Sequence, residues 1–369
     1  MPISMSEVLK ATQLTRLGRV LDATQLIRRT LGLDRQGCRQ APPQTIPASN
    51  PIGPHPEFAL LEAPRLEAPP APTMPARPAS FTECGFIFDN RRYAYRLYIP
   101  GVGDSVAASP LPLLVMLHGC KQDAADFAQG TAMNEMAEQK KCIVIYPEQL
   151  TKSNGMRCWN WFDTAHQARG TGEPGMIAAL TREVLTSHHA DPARVYIAGL
   201  SAGGAMAAVV AGLYPELFAA VGVHSGLPSG AANDVMSAFS AMRRGASKPL
   251  AGKENEAAMP TIVFHGSADQ TVHPDNGDEV VDVALKTLAA SGAALKKIQT
   301  VEGIAGEPDS RMTHRTIYRA TDGKSYVEHW EVGSGPHAWS GGHATGSYTD
   351  PQGPSASAAM LEFFLQHRR

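Results

Sequence analysis

The sequence predicts an α/β fold: a mostly parallel central sheet with helices on both faces, preceded by an N-terminal helical pair and a proline-rich tether. Three observations carry this. Short apolar runs such as "PLLVMLHG", "CIVIYP", "RVYIAG" and "TIVFHG" read as strands buried on both faces. Helically spaced segments separate these runs from residue 112 onward, the alternation expected of βαβ units. Twelve of the 28 prolines fall between residues 41 and 80, a composition that supports neither a helix nor a central strand.

Taken in order, residues 5–33 place Val8, Leu9, Leu14, Leu17, Val20, Leu21, Ile27 and Leu31 at helical spacing, and Gly18 divides them into a hairpin within residues 1–38. Residues 39–80 are the tether, and the compact domain spans 81–369. "FTECGFIF" and "RRYAYRLYIP" read as strands around a turn at Asp89-Asn90. "PLLVMLHG" is a buried strand, "ADFAQGTAMNEMAEQKK" one helix, and "CIVIYP" the next strand. A helix from "EPGMIAALTREVLTSHH", the strand "RVYIAG" and the helix "SAGGAMAAVVAGLY" follow. "FAAVGVHSG" and "TIVFHGSAD" are strands separated by a helix near residues 231–243. "DEVVDVALKTLAAS" is a helix, "KSYVEHWEV" a strand, and "SASAAMLEFFLQH" the closing helix. No internal repeat is evident.

Bulk properties exclude several function classes. A net charge of −2 and a pI near 6.7 carry no signature of nucleic-acid binding or of an anionic membrane surface. No apolar run approaches the roughly 20 residues that span a bilayer. The N-terminus lacks a continuous apolar signal core, so the chain reads as cytoplasmic, with secretion the alternative. Five cysteines, Cys38, Cys84, Cys120, Cys142 and Cys158, show no C-x-x-C spacing, so no structural metal site is expected. Cys142, inside a buried strand, reads as a core residue.

The chemistry concentrates around "GLSAGG". Ser201 has Gly199 and Gly203 at i−2 and i+2, between a strand and a helix. That is the G-x-S-x-G pattern of a strained turn that pushes a serine hydroxyl out of a sheet. A glycine-rich turn with an incidental serine would read the same. A serine hydroxyl needs a base, and the base needs an orienting acid, arriving in the chain order serine, acid, histidine. Asp269 follows the strand "PTIVFHG", whereas Asp275, Asp278 and Asp282 fall at or inside the next helix. Of the later histidines, His329 sits in a strand, His367 at the terminus and His314 in a polar connection. His337, in the glycine-rich loop "GSGPHAWSGG" after "YVEHWEV", is the candidate base, and His343 in the same loop is the runner-up. Acyl transfer also needs donors for an oxyanion. The backbone N–H of Ala202 is one, and that of Cys120, after "LHG", is the second.

With "LHGC", "RCWNWFD", "GLSAGGAM" and "GPHAWSGG" in this order, residues 81–368 resemble the polyhydroxybutyrate depolymerase-type esterases. These are α/β-hydrolases allied to feruloyl and acetyl-xylan esterases. The resemblance implies hydrolysis of 3-hydroxyacyl polyesters or oligomers, or of hydroxycinnamoyl or acetyl esters, without metal or organic cofactor. It assigns Ser201, Asp269 and His337 to the triad and Cys120 and Ala202 to the oxyanion positions. It also implies that Cys120 and Cys158 are adjacent and bridged, although a cytoplasmic location argues against permanent oxidation. Trp159 and Trp161 of "RCWNWFD", together with Trp339, are candidates for a substrate cleft, with packing onto the core as the competing account.

Two departures stand out against the secreted depolymerases: no signal peptide is seen, and no linker and polymer-adsorbing domain follow the last helix. They favour an enzyme of amorphous polymer, oligomers or small esters. Residues 5–33 then serve in self-packing, self-association or docking on a polymer granule. A serine peptidase and a non-catalytic tethering protein are the competing function classes.

Overall fold

The computed structural model describes residues 77–101, 109–245, 258–302 and 310–369. The expected N-terminal hairpin and most of the tether, including the association surface read in residues 5–33, lie outside the described residues. All the described residues belong to one unit, Pro69–Arg369.

Its frame is a ten-stranded sheet in the order β1-β2-β4-β3-β5-β6-β7-β10-β9-β8. The apolar runs form β3 (Leu113–Leu117), β4 (Ile143–Pro147), β5 (Val195–Leu200), β6 (Ala220–His224) and β7 (Thr261–Gly266), every residue of which is buried. They pair in parallel with one another, and β10 (Ser325–Val332) extends the parallel block beside β7. Antiparallel strands finish both edges: β1 (Ser80–Phe88) on β2 (Arg91–Ile99), with β2 on β4, and β8 (Leu295–Glu302) on β9 (Thr313–Ala320), with β9 on β10.

Helices cover both faces. On one, α1 (Ala124–Thr131), α2 (Met133–Lys140) and α7 (Ala356–Phe364) bury Phe127, Met133, Met360, Phe363 and Phe364. On the other, α3 (Gly172–Ser187), α4 (Ala202–Leu213), α5 (Val235–Arg244) and α6 (Asp275–Ala290) bury Met176, Ile177, Met206, Val280 and Leu288.

Two expectations change. The single helix read over residues 125–141 is two, because Ala132 adopts a left-handed conformation at φ 52° and both caps α1 and opens α2. The polar connection assigned to His314 is strand β9, paired residue for residue with β8.

Candidate active site

Ser201 occupies a turn set by contact rather than by preference. Its backbone lies at φ 58°, ψ −122°, between β5 and α4. The turn closes because its neighbours lack side chains. A Cβ on Gly203 would lie 2.1 Å from the Leu117 carbonyl oxygen, and one on Gly199 would lie 2.4 Å from the Gly203 carbonyl carbon. The Ser201 N–H donates to the His224 carbonyl at 2.8 Å, tying the turn to β6.

His337 Nε2 lies 2.9 Å from Ser201 Oγ, and its Nδ1 lies 2.7 Å from Asp269 Oδ2. The carboxylate can only accept, so Nδ1 carries the proton and Nε2 presents a lone pair to the serine hydroxyl. Asp269 Oδ1 accepts the N–H groups of Thr271 and Val272 at 2.8 and 2.9 Å. Burial alone would raise the Asp269 pKa. Hydrogen bonds from His265 and His337 outweigh it and hold the carboxyl well below the usual range, so it is ionised.

The Asp269 turn and the His337 loop are joined directly. Ala268 N–H donates to Gly335 O at 3.0 Å, Ser267 N–H to Val332 O at 2.9 Å, and Ser334 N–H to Ser267 Oγ at 2.8 Å. Runner-up His343 points elsewhere: half exposed, it pairs with Glu135 at 2.6 Å.

Cys120 and Ala202 line the same cavity as Ser201, and among the described residues no hydrogen-bond acceptor engages the amide of either. Gly119 N–H donates to Gln122 Oε1 at 3.0 Å and Lys121 N–H to Met156 O at 2.7 Å, which fixes the loop on both sides of Cys120. Beneath it His118 is fully buried; Nδ1–H donates to Gly119 O at 2.7 Å and Nε2 accepts from Gln149 N–H at 3.1 Å. Burial pushes this imidazole down to about 4, so it serves here as a neutral brace. A disulfide joins Cys120 to Cys158.

The three tryptophans separate. Trp161 lines a cavity of about 240 Å³ that opens onto Ser201, together with Phe162, Leu227, Val235, Phe239 and Met242. Trp159 and Trp339 do not line it. Both are fully buried, Trp159 donating Nε1–H to His118 O and Trp339 to Ser357 Oγ, each at 3.1 Å. An indole in a polar or glycine-rich loop reads as a cleft wall in sequence, but a carbonyl and a hydroxyl in the interior satisfy these two rings.

Sequence reasoning missed two supports. His224 accepts from Ser340 N–H at 2.8 Å and stacks on Trp339 with centroids 4.9 Å apart, bracing the His337 loop from below. Glu173, buried on α3, accepts from the N–H of Asn160 at 2.7 Å, from Asn160 Nδ2 at 2.6 Å and from Gln149 Nε2, so it organises the "RCWNW" loop. Burial raises its pKa. The signal for His224 was its place at the end of a buried strand beside the elbow. Glu173 gave none, since a first-turn glutamate normally faces solvent.

A family model described as esterase PHB depolymerase matches residues 93–301. The chain is 32% identical over 236 residues to poly(3-hydroxyalkanoate) depolymerase C of Paucimonas lemoignei, a match covering 60% of this chain and 53% of that protein. It is 37% identical over 131 residues to feruloyl esterase B of Neurospora crassa, covering 35% and 42%. The chain thus spans about half the length of the curated relatives it matches. An acetyl xylan esterase from Aspergillus awamori superposes with a TM-score of 0.56 at 21% identity, over 77% of this chain and 98% of that one. That likeness is one of fold, the α/β-hydrolase fold. Among the described residues no helix is long and apolar enough to cross a membrane, and no cluster suits a metal ion.

Proposed function

The chain belongs to the esterase PHB depolymerase family, and from that premise we propose that it is a serine hydrolase of carboxylic esters, with Ser201 as nucleophile. The observation that carries this is the unbroken relay from Ser201 Oγ through His337 to Asp269, with contacts of 2.9 and 2.7 Å.

His337 Nε2 takes the hydroxyl proton as Oγ attacks the ester carbonyl carbon. The carbonyl oxygen becomes an oxyanion facing the Cys120 and Ala202 amides. Collapse of the tetrahedral intermediate expels the alcohol, which receives the proton from His337. Water then attacks the acyl-enzyme by the same route, releasing the acid and restoring Ser201. Asp269 holds the imidazole tautomer and offsets the charge His337 gains. Oxyanion donors of this kind typically contribute about 10²–10³-fold each.

The cavity lining holds no ionised side chain, and its surface is mostly apolar. This favours a neutral, apolar acyl group over a charged peptide terminus. A 3-hydroxybutyrate oligomer is the leading substrate. Trp161 and Phe162 in the wall favour a hydroxycinnamoyl ester as the second.

A panel of p-nitrophenyl butyrate, a 3-hydroxybutyrate oligomer and methyl ferulate tests both. Wild type is expected to cleave at least one, and Ser201→Ala to lose turnover by about 10⁴-fold or more. Comparable rates in the two proteins would end the serine mechanism.

A further inference from the structure

His265 is the penultimate residue of β7, two per cent exposed, and absent from the cavity wall. Its Nε2 lies 2.9 Å from the Val272 carbonyl oxygen and 3.4 Å from Asp269 Oδ2. Both neighbours are acceptors, so the proton sits on Nε2. Nδ1 has no partner among the described residues. The Val272 backbone is therefore tied on both sides of its Cα: its N–H donates to Asp269 Oδ1, and its carbonyl accepts from His265. From the opposite side, a Cβ on Gly277 of α6 would lie 2.9 Å from His265 Nδ1 and 3.1 Å from its Cβ. The imidazole is clamped between the Asp269 turn and a helix stripped of its side chain at the contact.

We propose that His265 is a positioning residue for Asp269: its Nε2–H, shared between the Val272 carbonyl and Asp269 Oδ2, fixes the plane of the carboxylate that orients His337. Resting on the esterase reading above, it adds a second imidazole to the relay, one that never touches substrate. Asp269 Oδ1 accepts from two backbone amides, and Oδ2 accepts from His337 at 2.7 Å with His265 Nε2 3.4 Å away. A carboxylate restrained in this way resists rotation when His337 becomes charged, so the restraint acts on the chemical step rather than on substrate binding. The low pKa of Asp269, to which the His265 contact contributes, is consistent with that arrangement.

Steady-state kinetics on the full chain, with p-nitrophenyl butyrate or whichever panel ester proves best, provide the test. His265→Phe fills the ring's volume without a donor, whereas the His265→Gln amide offers two N–H groups for the two acceptors. His265→Phe is expected to lower kcat about tenfold or more with KM within about twofold, the scale of one charge-assisted hydrogen bond, and His265→Gln to recover most of the loss. Wild-type kcat in His265→Phe would overturn the proposal. So would a loss that Gln fails to recover and that follows a matching fall in thermal stability. If His265→Phe does not fold, Gly277→Ala takes its place, since it leaves the imidazole intact but crowds it. A lowered kcat at unchanged KM supports the proposal, and wild-type kcat rejects it. Ser201→Ala runs alongside: turnover there would defeat the esterase reading itself, whereas an inactive Ser201→Ala beside a fully active His265→Phe defeats this inference alone.

Discussion

At Asp269 a buried carboxylate stays charged because two backbone amides and His337 donate to it. Replacing it with Asn keeps the shape but offers His337 Nδ1 an N–H as readily as an oxygen, so the wrong tautomer competes. Asp269→Asn is expected to lower kcat by about 10³–10⁴-fold with KM little changed, measurable by steady-state assay. The same residue carries a pH signature. Its folded-state pKa lies below the unfolded value of roughly 4, so its contribution to stability is fully present above that pH. It fades as pH falls through the folded-state value. The melting-temperature deficit of Asp269→Asn relative to wild type should therefore be largest near neutrality and shrink in strong acid. A deficit independent of pH would reject the ionised-carboxylate account. Spacing around Ser201 and strand-end positions made Asp269 and His337 legible as candidates in the sequence. His265 was not, because a histidine near the end of a buried strand looks the same whether it braces a turn or only fills space.

Along α5 the apolar residues do not all face inward. Val235, Met236 and Phe239 are 51, 78 and 54% exposed, and Val235 and Phe239 also form part of the cavity wall. The helix starts with a full capping box, Asp234 accepting from Ser237 N–H while Ser237 Oγ accepts from Asp234 N–H. Its end is thus fixed independently of what its outer face touches. An apolar rim held in place this way discriminates acyl groups by burial. Phe239→Ser should lower kcat/KM for butyryl or feruloyl esters about tenfold while changing acetyl esters little. Equal losses on all three would mean that the helix only shapes the fold. Element by element, the parallel strands were the most legible, since complete burial leaves an unbroken apolar run. β8 and β9 were not: "LKKIQTVE" spaces its apolar residues three apart and "THRTIYRA" is mostly polar, so neither shows the period-two pattern of a strand. The break at Ala132 had only Gly130, two residues earlier, as a signal, and an isolated glycine inside a helical pattern is often tolerated.

For the molecule as a whole, the relay is assembled from residues 136 and 68 positions apart, so it exists only if the strand ends and the loops above them hold together. The strands are secured by the sheet. The "RCWNW" loop is not, and it depends on Glu173, on Gln149 and on the Cys120–Cys158 bond across 38 residues. That bond joins Cys120, whose amide is the proposed oxyanion donor, to the loop carrying Trp161. It also pulls against the expectation of a cytoplasmic protein, since disulfides persist in oxidising compartments. Closing a loop of this length restricts the unfolded chain by about 4 kcal/mol on a chain-entropy estimate. The double variant Cys120→Ala/Cys158→Ala should therefore melt well below wild type. In the proposed mechanism the bond holds the residue whose amide receives the oxyanion, so the variant should also lose kcat at temperatures where it remains folded. Reductant titration of wild type should lower activity and stability over the same range, and unreduced, denatured protein should titrate fewer than five thiols. Five free thiols would show that the bond does not form. A bond that forms but whose loss leaves kcat untouched would confine its role to stability, and the aim of the Cys120 loop would then rest on His118, Gln122 and the Lys121–Met156 backbone bond.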